Sequence, residues 1–88
     1  MNDRITVLIA DDNKDFCNII AEYLSKQDDM EVVAVAYDGV EALDLIHKLQ
    51  PDLVVLDIIM PQMDGLGVLE KLNEEKMEQK PKIIILSA

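Results

Sequence analysis

Apolar positions along the chain follow two alternating rhythms. Ile5 to Ala10 is a short run rich in β-branched residues that ends in Asp11-Asp12. Continuous apolar runs of this length mark strands covered on both faces, so this one is read as a first strand. From Asn13 the rhythm changes, with Phe16, Ile19, Ile20, Tyr23 and Leu24 falling three and four apart, the stripe of a helix. Asp28-Asp29 breaks it, and Val32 to Ala36 reads as a second strand. Gly39 then precedes a second helical stripe of Val40, Leu43, Ile46 and Leu49, which Pro51 stops because proline removes a backbone donor and clashes with the preceding turn. Leu53 to Leu56 predicts a third strand ending at Asp57. After a loop from Ile58 to Asp64 that carries Pro61, a third stripe uses Gly65, Val68, Leu69 and Leu72. The polar stretch 73–80 solvates the end of that helix, and Ile83 to Leu86 predicts a fourth strand before Ser87-Ala88.

The order is βαβαβαβ, without repeats or low-complexity tracts. Strands alternating with helices imply a parallel sheet with right-handed crossovers and helices on both faces. The expected class is therefore α/β, a doubly wound parallel sheet, with residues 1–88 forming one domain. In the flavodoxin-like order the second strand lies outside the first and the third lies on its other side. The ligand crevice then opens at the carboxyl ends of the first and third strands. Both of those strands end in aspartate, so Asp11, Asp12 and Asp57 are expected to converge where such folds bind ligands.

Composition narrows the picture. Half of the 88 residues are apolar and 3% are aromatic, so the core is aliphatic and the chain is globular rather than disordered. Eighteen acidic residues against eight basic ones give a formal charge of −10, which disfavours direct contact with nucleic acid or an anionic membrane. The single cysteine, Cys17, has no partner for an intramolecular disulfide and sits in a helical apolar pattern, as a small core residue in a reducing, cytoplasmic setting. No apolar run reaches the ~18 residues of a spanning helix, and the N-terminus lacks a signal-peptide layout.

Three carboxylates at one crevice repel one another unless one takes up a proton or a cation intervenes. A hard divalent ion suits them: Mg²⁺ favours oxygen ligands, keeps some waters and is held by one or two carboxylates plus phosphoryl oxygens. An aspartate carboxylate is also a nucleophile toward phosphorus, giving an acyl phosphate. Ser87, ending the fourth strand beside the third, is placed to donate its hydroxyl to a phosphoryl oxygen on Asp57. The Asp57–Gly65 loop combines a rigid proline with a glycine opening a helix, and a backbone carbonyl from it would complete a metal shell.

Taken together, Asp11-Asp12-Asn13, Asp57, Met60-Pro61-Gln62-Met63-Asp64-Gly65 and Leu86-Ser87-Ala88, in this order and spacing, resemble a two-component receiver domain. The segments Ala36-Tyr37-Asp38-Gly39 and Asp57-Ile58-Ile59-Met60 further resemble receiver halves of sporulation transcription regulators. The resemblance implies that Asp57 accepts phosphate from the phosphohistidine of a histidine kinase or histidine phosphotransferase. It implies that Asp11 and Asp12 bind Mg²⁺ with the Ile59 backbone carbonyl, with Ca²⁺ or Mn²⁺ as substitutes. It further implies that Ser87 reorients toward the phosphate and that a DNA-binding output domain lies outside this chain. The donor is expected to dock on the crevice rim and the start of the first helix, at Asn13, Lys14, Asp15, Asn18 and Glu22. The family's lysine at the end of a fifth strand, the aromatic switch residue on that strand and its flanking helices do not occur in these residues. The domain is thus expected to be incomplete at its C-terminus, with an uncovered fourth strand prone to self-association or element exchange.

Plainer readings stand beside these. Asp57 reads as a loop or helix-capping aspartate, and Asp11 or Asp12 as the cap of the first helix. Ser87 reads as an edge polar residue, His47 as a surface or half-buried histidine, and Met60, Met63 and Met77 as packing residues, since soft sulfur does not suit Mg²⁺. Asp11, Asn13, Asp15 and Glu22 match four positions of a calcium-binding loop, but Phe16 stands where that loop needs glycine. A metal-dependent aspartyl-phosphate phosphohydrolase would share the strand-end aspartate and Mg²⁺. Its acid-base carboxylate, however, falls at Ile59, an apolar residue. A non-signalling α/β interaction module is the third class.

Overall fold

The structure is a computed structural model that describes residues 4–60, 62–75 and 80–86. Its elements run β1 (Ile5–Ala10), α1 (Lys14–Ser25), β2 (Met30–Ala36), α2 (Gly39–Leu49), β3 (Leu53–Asp57), α3 (Gly65–Glu74) and β4 (Lys82–Leu86). The four strands form one sheet in the order β2-β1-β3-β4, with every pairing parallel, as the alternation of elements predicts. Strand two begins at Met30, earlier than the apolar run suggests, because Met30 and Glu31 pair with Ile5 and Thr6.

Alternation along each strand divides the core between the two faces of the sheet. Leu8, Ala10, Val54 and Leu56 face one side, where they pack with Ala42, Ile46, Val68 and Leu72 of α2 and α3. Val7, Ile9 and Val55 face the other, where Cys17 of α1 is fully buried among them. The β1–β2 register shifts between Val7 and Leu8, so that Val7 pairs with Val32 but Leu8 with Ala34. This bulge sends Val32 and Val35 to one face and Ala34 and Ala36 to the other.

Two helical stripes lie differently from the sequence reading. In α1 the inner face is Cys17, Ile20, Ala21 and Leu24, while Ile19 and Tyr23 are each 64% exposed. In α2 the buried positions are Gly39, Ala42 and Ile46, and Val40 and Leu49 are exposed. The physical reason is the same for both. Small residues, Cys17 and Ala21 or Gly39 and Ala42, let the helix approach the sheet, so the face carrying them turns inward even where larger apolar groups lie to one side. The α3 stripe holds as read, with Gly65, Val68 and Leu72 buried and Leu69 packed on the core.

Each helix starts with a side-chain cap. Asn13, Asp38 and Asp64 accept hydrogen bonds from the backbone N–H groups of Phe16, Glu41 and Gly67. Neither Asp11 nor Asp12 caps α1, because Asn13 does so, leaving the aspartates for other work. Gln50 adopts the left-handed conformation (φ 47°) that closes α2 before Pro51. At the opposite end of the sheet, Asp52 ties β3 to β1 by accepting from both the N–H (2.9 Å) and the hydroxyl (3.1 Å) of Thr6.

Candidate functional site

Four strand ends and three helix N-termini lie at the carboxyl edge of the sheet. Asp11 and Asp12 follow β1, and Asp57 is the last residue of β3, the strand paired next to it. Carboxylate oxygens of Asp11, Asp12 and Asp57 all lie within 4.8 Å of one another. Asp11 is buried at 7% exposure, Asp12 is exposed and Asp57 is half-buried.

Local backbone holds Asp11 in place. Asp11 donates its N–H to the Ala36 carbonyl (3.0 Å), fixing the end of β1 to β2. Its Oδ1 accepts from the Asn13 N–H (2.9 Å), which turns the chain into α1. Burial pushes the Asp11 carboxyl above its ordinary pKa, against the Asn13 hydrogen bond, and the neighbouring charges of Asp57 and Asp12 push the same way. The Cys17 Sγ donates to the Asp11 carbonyl (3.2 Å), and burial raises the thiol pKa, with Asp11 adding to it. Cys17 is thus a buried packing residue, as read.

The loop after β3 is shaped by close backbone approaches. The Ile59 N–H reaches Asp57 Oδ1 at 3.3 Å, so Asp57 shapes its own loop, while the helix cap is Asp64. The Gly65 N–H donates to the Ile58 carbonyl (2.8 Å). A Cβ on Gly65 would collide with the Asp57 carbonyl and come within 2.9 Å of the Ile58 Cα; one on Gly39 would collide with the Met63 carbonyl. Glycine is therefore required at both helix starts, each of which abuts the site loop. Gly65 was legible as the residue opening a helix after the loop; the demand at Gly39 was not, because nothing in the sequence places Met63 against it.

The donor set can be tested against a divalent cation. It consists of hard carboxylate oxygens close enough to share one ion, with one group buried and two reachable from solvent. That combination fits Mg²⁺, which keeps water ligands and wants oxygen. Met60, 7% exposed, and Met63 pack on the α2–α3 side of the core rather than facing the carboxylates. His47 stands away from the cluster, at the end of α2, where its Nε2 meets Glu75 at 2.9 Å. Asp15 and Glu22 both lie inside α1, where a calcium loop would have to run, which removes that reading. Of the expected docking residues, Asn13, Lys14, Asp15, Asn18 and Glu22 are all exposed. Ser87, Pro61 and Met77 lie outside the described residues. Leu86 lies in register with Asp57, and its carbonyl accepts from the Ile58 N–H (3.3 Å).

The family model of the response regulator receiver domain matches residues 7–88. The chain belongs to that family: it is a receiver domain of a two-component response regulator, a class of signalling domain that binds Mg²⁺ at an acidic pocket. Among solved structures it is similar to the response regulator domain of CheB from Thermotoga maritima, at 33% identity and TM-score 0.84 over 96% of this chain and 60% of that one. It is also similar to the receiver domain of the response regulator NarL from Mycobacterium tuberculosis, at 31% identity and TM-score 0.89 over 98% and 68%. A third similar structure, from Borrelia burgdorferi, is a CheX–CheY complex with BeF3 and Mg, at 30% identity and TM-score 0.81 over 96% and 62%. The chain thus spans about three fifths of the CheB domain's length. No helix among the described residues is long and apolar enough to cross a membrane.

Proposed function

We propose that Asp57 is the phosphoacceptor of this receiver domain and that Asp11, Asp12 and Asp57, with the Ile59 backbone carbonyl, hold Mg²⁺ beside it. The observation that carries the reading is the meeting of three carboxylates within 4.8 Å at the carboxyl ends of adjacent parallel strands. Mg²⁺, with Ca²⁺ or Mn²⁺ as substitutes, supplies charge neutralisation for a phosphoryl group and its transfer. The chain's own residues do the rest. A carboxylate oxygen of Asp57 forms the new bond to phosphorus in line with the departing donor group. The N–H of Ile59 orients the other oxygen, and Gly65 lets α3 start hard against the Asp57 carbonyl so that the nucleophile does not drift. Ser87 would donate its hydroxyl to a phosphoryl oxygen and move with phosphorylation.

The donor in this reading is a histidine kinase or histidine phosphotransferase docking on Asn13, Lys14, Asp15, Asn18 and Glu22. The readout is an output domain outside this chain, a transcriptional one serving sporulation, and the setting is cytoplasmic. The phosphohydrolase alternative finds no support, since Ile59, 69% exposed, holds the position its acid-base carboxylate would need.

Acetyl phosphate with Mg²⁺ tests the reading. Intact-protein mass should show one added phosphoryl group per chain, lost slowly, absent in Asp57→Asn and absent with EDTA. Rapid multiple turnover of acetyl phosphate would instead establish a phosphohydrolase, and labelling that survives Asp57→Asn would place the acceptor elsewhere. Glu22→Arg should slow transfer from the protein donor and spare labelling by acetyl phosphate.

A further inference from the structure

The fold sorts charge by its ends. In a parallel sheet each helix runs back against the strands, so helix C-termini and strand N-termini share one end and the site occupies the other. Arg4 precedes β1, Lys26 caps the end of α1, His47 and Lys48 lie in the last turn of α2, Lys71 in that of α3, and Lys80 and Lys82 at the start of β4. All of these stand at the end remote from Asp57. Among the described residues the site end carries a single basic side chain, Lys14, the first residue of α1. Around it lie the three clustered carboxylates together with Asp15, Asp38 and Glu41.

Lys14 is not left to wander. Its Nζ lies over the ring of Tyr37, 5.3 Å from the centroid, a distance at which the ring's π face attracts an ammonium group. Tyr37 is itself fixed: its N–H donates to Glu41 Oε1 (2.9 Å), while the Glu41 N–H donates to the cap residue Asp38 at Oδ1 (2.7 Å), two bonds that hold the β2–α2 turn. The preceding residue, Ala36, accepts from the Asp11 N–H, so the platform under Lys14 is tied to the metal-binding strand end.

We propose that Tyr37 is a positioning residue that holds the Lys14 ammonium on the rim of the acidic cleft, and that this cation speeds the arrival of small dianionic acyl phosphates at Asp57. The proposal rests on the assignment of Asp57 as phosphoacceptor. A dianion approaching this edge meets net negative charge on every side, and one fixed positive charge on the rim lowers that barrier where it matters most. The reaction served is balanced without a further reagent. An Asp57 carboxylate oxygen bonds to phosphorus as the bond from phosphorus to the acetyl oxygen breaks, and acetate leaves with the electron pair.

The test is the initial rate of labelling by acetyl phosphate at saturating Mg²⁺, measured from low to high ionic strength in the full chain. Lys14→Met should slow labelling about three- to fivefold at low salt, with the difference vanishing once screening shortens the Debye length to a few ångströms. Lys26→Met removes the same unit of charge at the remote end and should match the unmodified protein throughout. Lys14→Arg, which keeps charge and stacks on aromatic faces, should restore the rate. Tyr37→Phe keeps the ring and should behave as the parent, whereas Tyr37→Leu should lose part of the low-salt advantage. Thermal melts identify any variant whose loss comes from unfolding. Equal rates for Lys14→Met and Lys26→Met at every salt concentration overturn the proposal while leaving Asp57 as acceptor. Absence of labelling in the unmodified protein overturns the phosphoacceptor assignment itself.

Discussion

Replacing Asp57 by Asn removes one of three mutually repelling charges while keeping the oxygen that accepts from the Ile59 N–H. At the 4.8 Å that bounds the carboxylate separations, a like-charged pair costs about 1 kcal/mol at water's dielectric and about 3.5 kcal/mol at an effective value of 20. The pair with exposed Asp12 belongs near the lower figure and the pair with buried Asp11 lies between the two. The metal-free protein should therefore gain about 3 kcal/mol, on the order of 10–20 °C in Tm for a domain of this size. Mg²⁺ acts unequally on the two proteins. It should stabilise the parent by about 2.7 kcal/mol at a hundred times its Kd, and stabilise Asp57→Asn far less. The sign with pH follows from Asp11, whose carboxyl is raised above 3.8 in the folded chain. Its contribution to metal-free stability is complete below that value and is lost as pH rises through the raised pKa, and Asp57→Asn should flatten that loss. Thermal melts by circular dichroism, in EDTA over a pH series and across a Mg²⁺ titration, measure all three effects. An Asp57→Asn protein that is less stable than the parent in EDTA and keeps the full Mg²⁺ shift would refute the reasoning.

Further outcomes follow from the packing. Ile46→Ala, at a fully buried position between α2 and the sheet, should cost about 2–5 kcal/mol in urea unfolding. Gly65→Ala should destabilise the fold and slow phosphoryl labelling together, since its Cβ meets the backbone of Asp57 and Ile58; unchanged labelling would show that the loop can yield. Asp52→Ala, which strips two acceptor contacts from Thr6, should cost about 1–2 kcal/mol and raise hydrogen exchange at the Thr6 N–H without altering Mg²⁺ binding at the far end.

What the sequence determined by itself was the alternation of elements and, through it, the site. Parallel strands joined by crossover helices put every strand's carboxyl end on one edge, so the residues after β1 and β3 had to meet. Asp11, Asp12 and Asp57 were legible for that reason, and the third helix stripe was legible because Gly65, Val68 and Leu72 repeat with helical spacing. Tertiary structure alone decided which way the first two helices turn. A hydrophobic count favours Ile19, Tyr23 and Val40, yet the sheet admits the faces with Cys17, Ala21 and Ala42, because close packing rewards small residues at short range. It alone chose Asn13 over its neighbouring aspartates as the cap of α1, with the Asn13 Oδ1 accepting from the Phe16 N–H. The β1–β2 bulge, the collision that forbids a side chain at Gly39, and the seat of Lys14 on Tyr37 arise between segments far apart in the chain. Periodicity reports which residues share a face; it carries no distance between faces, and these features are made of such distances.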